Sequence, residues 1–135
     1  GYIFILMSLS KAFNNHLKEF VEDIIVVFPK DTELKTTQFF LEGLIKTKPR
    51  AVLEIWKVNI NDKYKTEIEK GDYDFFINKN YTDDVSNGGG SDTLMKSIEK
   101  MQAKITNMSE KNKVKAMKYV QNLTKLCNLY YINND

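Results

Sequence analysis

The sequence predicts an all-α fold, a single compact domain of five or six helices packed as a helical bundle, and three observations carry that prediction. Apolar residues recur three or four positions apart through most of the 135 residues, the spacing that places side chains on one helix face. No stretch alternates for long enough to argue a strand, and VNIN at 58–61 is too short. Pro, Gly, Asp and Ser stand where the periodic stretches start and stop, as capping and helix-breaking chemistry requires.

The most informative stretch runs from Pro49 to Tyr81 and holds the only Trp. Leu53, Trp56, Ile60, Tyr64 and Ile68 define its packing face. Proline suits the first turn, since the helix would not use its missing amide, and Gly71 suits the end because it tolerates positive φ. Asn61 and Asp62 favour caps, so a break into two shorter helices is expected near them. Asp72 can then cap one more short turn that folds Tyr73, Phe76 and Ile77, or Phe75 and Tyr81, onto the core.

Ahead of that stretch, Ser8 is the expected N-cap of a first helix. Phe13, Leu17, Phe20, Ile24 and Val27 form its stripe, Val21, Ile25 and Phe28 widen it, and Pro29 stops it. The apolar run at 1–6 reads as an upstream extension or as a strap packed on the domain, with Met7 a natural start. It is too short to span a bilayer and lacks the basic start and cleavage site of a secretory signal. Asp31 or Thr32 caps a second helix to about Lys46, with Leu34, Phe39, Leu41, Leu44 and Ile45 on its apolar side.

Beyond Tyr81, the segment 82–92 reads as a flexible Gly-rich linker. It lacks the Lys-Ser or Lys-Thr of a phosphate loop and the GxGxxG of a dinucleotide fingerprint. Two helices follow within 93–133. Asp92 caps the first, which carries Leu94, Met95, Ile98, Met101 and Ile105. Ser109 caps the second, where Val114, Met117, Val120, Leu123, Leu126 or Cys127, and Tyr130 make the longest uninterrupted helical signal.

Composition narrows the function classes. With 42% apolar and 28% charged residues, the chain is an ordinary globular protein. The single cysteine, Cys127, cannot form an internal disulfide, which favours a reducing compartment over secretion. Nineteen lysines, one arginine and thirteen asparagines are the amino acids of A/T-rich codons and carry no mechanism.

Catalytic chemistry is not readable. His16, the only histidine, has no Cys or second His at ligand spacing and reads as structural or solvated. Cys127 reads as a small core residue. Asp72, Asp74, Asp83 and Asp84 do not follow the calcium-loop pattern. No catalytic residue, metal or other cofactor is expected, nor a small-molecule substrate.

Charge is distributed unevenly. Residues 1–92 carry 12 basic and 15 acidic side chains, and residues 93–135 carry 8 and 3. Lys111, Lys115, Lys118 and Lys125 form a stripe on the last helix that suits phosphates or an acidic partner. Against nucleic acid stand the near absence of arginine, the lack of aromatics interleaved with the lysines, and a net charge of only +2. An aromatic groove around Trp56, Tyr64, Phe75, Phe76 and Tyr81 is the other candidate contact, for a protein partner, against the plainer reading of these rings as core. A bundle can also use such faces to form a homo-oligomer.

AFNNHLKEFVEDI, EIWKVNINDKYKTEIEKGDYDFFINKNY and MKYVQNLTKLC together resemble a set of uncharacterised small proteins of large nucleocytoplasmic DNA viruses that infect algae and amoebae. The likeness spans most of Ser10 to Tyr130; residues 1–6 and the Gly-rich linker depart from it. It brings no assigned activity and no functional residues. It implies a viral origin, giant viruses included, and a place in the host cytoplasm, the viral factory or the virion. The expected function is a non-enzymatic protein-interaction or assembly module; the alternative is a nucleic-acid-associated protein using the basic C-terminal helices.

Overall fold

The computed structural model describes residues 2–72, 74–75 and 90–134. Almost all of these are helical, and there is no strand among them. The elements are α1 (Tyr2–Val27), α2 (Thr32–Thr47), α3 (Ala51–Trp56), a π-helical segment (Lys57–Asn61), α4 (Asp62–Lys70), α5 (Gly90–Thr106) and α6 (Glu110–Asn134). The all-α fold read from periodicity is the observed one.

α1 starts at Tyr2, so Ser8 is an exposed mid-helix residue and not a cap. The apolar stripe explains why. Leu6 and Leu9, both half-buried, continue it backwards from Phe13, Leu17, Phe20 and Ile24 at steps of three and four. Residues 2–6 are therefore helical, continuous with the rest of α1. Val27 lies at the exposed edge of the stripe.

Asp31 caps α2, its carboxylate accepting from the Leu34 amide at 3.0 Å. The same carboxylate meets Lys104 Nζ of α5 at 2.6 Å. The Lys104 ammonium, followed by the Leu34 amide, holds the Asp31 carboxyl below its ordinary pKa. One side chain thus starts a helix and fixes a second against it. The buried face of α2 is Leu34, Thr37, Leu41 and Ile45. Phe39, placed on that face from sequence, lies about 200° round from Leu41 and is 81% exposed.

The π segment is where the central stretch departs most from expectation. Trp56, Ile60, Tyr64 and Ile68 are all buried and are separated by three successive steps of four. At 3.6 residues per turn each such step overshoots by about 40°. A wider i→i+5 turn removes the excess, so the helix bulges where two caps had suggested a break. Asn59 Nδ2 donates to the Ile55 carbonyl, four residues back, at 3.0 Å, and Asn61 donates to Asn128 of α6. Tyr64 also leaves helical geometry, with φ −125° and ψ 25°. Of the two residues that suggest caps, Asn61 is buried inside the bundle, while Asp62 stays exposed and pairs with Lys57.

Gly71 ends α4 at φ +70°. A β-carbon there would meet Gln121 Nε2 of α6 at 3.3 Å, and that amide donates to the Ile68 carbonyl at 2.9 Å. Gly71→Ala is therefore expected to cost about 1–2 kcal/mol, from left-handed backbone strain and the displaced Gln121. Urea denaturation measures it. Asp72 caps the next turn as expected, accepting from the Phe75 amide at 3.1 Å. Tyr73, Phe76, Ile77, Tyr81 and most of the 82–92 linker lie outside the described residues.

α5 begins at Gly90, two residues earlier than a cap at Asp92 implies. Asp92 instead lies in the first turn, where a carboxylate still complements the helix dipole. Ser109 caps α6 as expected, its hydroxyl accepting from the Asn112 amide at 3.3 Å. Met117, Leu123, Cys127 and Tyr130 are buried, whereas Val114 is about half exposed.

The core joins all the helices. Trp56 is its keystone, with the ring edge-on to Phe13 of α1 at 5.9 Å and Nε1 donating to Thr124 Oγ1 of α6 at 3.3 Å. That level pairs residue 13 with residue 124. Further along, Tyr119 meets Phe20 and Asp23, so α1 and α6 run antiparallel.

Candidate interaction groove

Trp56 is 5% exposed and Tyr64 7%, so both belong to the core. Phe75 is half-buried against the Tyr64 ring, centroids 5.5 Å apart, while Phe76 and Tyr81 lie outside the described residues. The described rings fill the interior and do not line an open groove.

Cys127 is fully buried, 3.9 Å from the Leu53 carbonyl. Burial pushes its thiol up to about 12, which suppresses the thiolate a nucleophile needs. His16 is partly buried, its ring tilted against Tyr119 at 4.8 Å and its Nδ1 3.7 Å from Glu19. Because Tyr119 precedes Cys127 by eight helical residues, about 12 Å of axis separates the two levels. The fold does not bring His16 and Cys127 together.

Lys111, Lys115, Lys118 and Lys125 are all exposed. Lys115 Nζ lies 3.4 Å from Asp23 of α1; the other three pair with no described carboxylate. Tyr119 sits among these lysines in sequence, an aromatic the stripe had seemed to lack. Its ring is committed to α1, stacked on Phe20 at 4.9 Å with an 11° interplanar angle, and so is not free to stack on a base.

The open feature that sequence reading missed is formed by the end of α1 and the start of α6. Phe20, Ile24, Ala116 and Met108 contribute its apolar lining, Val26 and Val27 its outer edge, and Asp23, Asn112, Lys115 and Tyr119 its polar rim. Tyr119 Oη donates to Asp23 Oδ2 at 2.5 Å, and Asp23 also holds Lys115, so one carboxylate braces the rim across both helices. Burial, then the Asp23 carboxylate, pushes the Tyr119 phenol up to about 12; it remains a donor throughout the physiological range.

The volume decides what such a groove suits. At about 240 Å³ it falls below the roughly 300–1,000 Å³ of small-molecule and cofactor pockets. It fits one or two apolar side chains delivered by another chain. Val26, 76% exposed at its edge, adds apolar surface that nothing within the described residues covers.

Comparison with known proteins adds no relative: no protein-family model, curated protein or solved structure matches this chain. No described helix is long and apolar enough to cross a membrane, and the described residues contain no group of three or more His, Cys, Asp or Glu placed to hold a metal.

Proposed function

We propose that this protein is a non-enzymatic helical interaction or assembly module, of viral origin, that docks an apolar anchor of a partner protein in the α1–α6 groove. The observation that carries the reading is the pairing of an apolar lining and an exposed apolar edge, Val26 and Val27, with a braced polar rim. That is the anatomy of a protein contact, with an apolar centre and hydrogen-bonding groups around it. The non-enzymatic part rests on Cys127, sealed in the core, and His16, set against a tyrosine ring away from it. The viral part rests on the resemblance of the three sequence blocks.

The test is affinity capture with mass spectrometry from cells that make the protein, comparing wild type with Val26→Glu/Val27→Glu. Both side chains are exposed, so the variant is expected to keep its melting temperature within a few degrees. It is also expected to lose the specific partner at least about tenfold, since a carboxylate would be desolvated at the contact. Equal capture by both proteins would remove the groove from the account.

A second reading, nucleic-acid association, is supported by the exposure of Lys111, Lys118 and Lys125, none of which pairs with a described carboxylate. It requires DNA or RNA binding that falls steeply with salt and is lost in Lys111→Glu/Lys118→Glu. Binding that is absent or insensitive to salt would end it.

A further inference from the structure

α1 and α6 each carry a row of side chains that the core does not use. On α1 it is Ser8, Ala12, Asn15, Glu19, Glu22 and Val26, all exposed. On α6 it is Lys111, Lys115, Lys118, Asn122, Lys125 and Leu129, exposed as well. Both rows advance by alternating steps of three and four, the spacing with which one helix meets another along its length. The first row is acidic and the second basic.

The rows share one face of the bundle. Asp23 turns towards α6, where it holds Lys115, and its neighbour Ile24 is buried; the α1 row lies on the other side of Asp23 from Ile24 and so looks outwards. On α6 the buried Ala116 stands in the same relation to Lys115 and its row. Because the helices are antiparallel, the same turn brings both rows to one side. Asp23 is level with Lys115, and Phe13 is tied through Trp56 to the level of Thr124. Glu19 and Glu22 therefore stand abreast of Lys115 and Lys118, Asn15 abreast of Asn122, and Ser8 and Ala12 abreast of Leu129 and Lys125.

We propose that this face pairs with a second copy of the chain about a two-fold axis parallel to the helices, so that α1 of each copy lies on α6 of the other. That operation keeps every level and exchanges the two helices. It sets Glu19 and Glu22 against Lys115 and Lys118 of the opposite copy, Asn15 against Asn122, and the small Ser8 and Ala12 against the longer Leu129 and Lys125. It also carries Val26 to the rim that Asn112 and Lys115 give the opposite groove. The inference rests on the groove reading and names its partner. Charge separates this occupant from nucleic acid. A strand laid on the lysines would meet Glu19 and Glu22 one interhelix spacing away, about 8–10 Å, a distance over which physiological salt leaves much of the repulsion. A second copy meets each sign with its opposite. From Ser8 to Val26 the row rises about 27 Å and two helices are roughly 20 Å across, so the pair buries on the order of 1,000 Å², near the lower bound for a specific interface. The dimer is accordingly weak and held largely by charge.

The experiment is sedimentation equilibrium of the whole chain over a concentration series at about 50 mM and about 500 mM salt. Wild type is expected to dimerise at the lower salt, with a dissociation constant at least about tenfold higher at the upper. Glu19→Lys/Glu22→Lys and Lys115→Glu/Lys118→Glu are each expected to be monomeric, with thermal melts within a few degrees of wild type. Their equimolar mixture is expected to recover the dimer, since a reversed α1 then meets a reversed α6. Val26→Ser/Val27→Ser is expected to weaken it about tenfold. A wild type that stays monomeric, a dimer that survives either reversal, or a mixture that stays monomeric would overturn the proposal. A monomer that binds DNA, or that captures a different protein only with Val26 and Val27 intact, overturns this inference alone. A dimer that ignores Val26→Ser/Val27→Ser, together with capture that ignores Val26→Glu/Val27→Glu, overturns it along with the groove reading.

Discussion

Trp56→Ala is expected to destabilise the protein by about 3–5 kcal/mol, the largest loss from any single truncation considered. Three consequences of the substitution add. The indole is 5% exposed, so its removal leaves a cavity bounded by three helices. Phe13 loses the ring that its edge meets at 5.9 Å. Thr124 Oγ1, 4% exposed as a residue, loses the donor at 3.3 Å. Against a typical domain stability of about 5–15 kcal/mol, the variant is expected to be marginal at 37 °C, with a melting temperature roughly 10–20 °C lower. Trp56→Phe refills most of the volume and leaves only the Thr124 hydroxyl unpaired, so it is expected to cost about 1–3 kcal/mol. Calorimetry on the two variants separates packing from the hydrogen bond. Equal losses would mean that the hydroxyl, and not the cavity, sets the cost.

The second large effect is alkaline. Burial pushes the Cys127 thiol up to about 12, and it likewise pushes the Tyr119 and Tyr131 phenols up to about 12. The ordinary values are 9.0 for the thiol and 10.0 for the phenols. Each folded-state pKa is raised, so the folded state keeps protons that the unfolded chain releases. The associated stability is complete below about pH 9 and is lost as pH rises towards 12. Cys127, fully buried, accounts for roughly 4 kcal/mol at most over that window; the phenols are more exposed and contribute less. Denaturation followed from pH 8 to 11 is expected to show a falling midpoint, and Cys127→Ser, which cannot titrate there, a flatter one. Iodoacetamide at pH 8 is expected to label Cys127 only on unfolding. Rapid labelling of the native protein would contradict both its burial and the alkaline window.

The two effects bear on how the fold is written in the chain. Helix faces were readable because core positions obey one period: Phe13, Leu17, Phe20 and Ile24 on α1, and Leu123, Cys127 and Tyr130 on α6, are buried as spacing demands. Ser8 is a good N-cap type, but the stripe that Leu6 and Leu9 extend past it starts α1 earlier. Phe39 was misplaced by residue type, although its distance of two from Leu41 already turned it away from the core. The π segment had a visible signal in the three successive steps of four from Trp56 to Ile68. Asn61 and Asp62 masked it, because Asn signals a cap and satisfies a buried helix equally well.

The groove was less accessible still. It depends on which residues of α1 face α6, a tertiary fact that periodicity within one helix does not contain. Phe20 and Val27 share one stripe, yet Phe20 is buried under Tyr119 while Val27 is exposed, and no described residue covers Val26. The Asp23–Tyr119 hydrogen bond joins residues 96 apart in sequence, beyond any local pattern. What could have been noticed is Tyr119 itself, the aromatic four residues after Lys115 on an otherwise cationic face.

The most direct measurement of the central claim, that the α1–α6 groove receives a partner protein, is site-specific photocrosslinking in cells that make the protein. A photoreactive phenylalanine analogue replaces Val26 at the groove edge, and the control replaces Thr36, an exposed residue of α2 outside it. A discrete protein adduct is expected from position 26 and not from position 36. Identical adducts from both positions, or none from position 26 while the protein is folded, would contradict it.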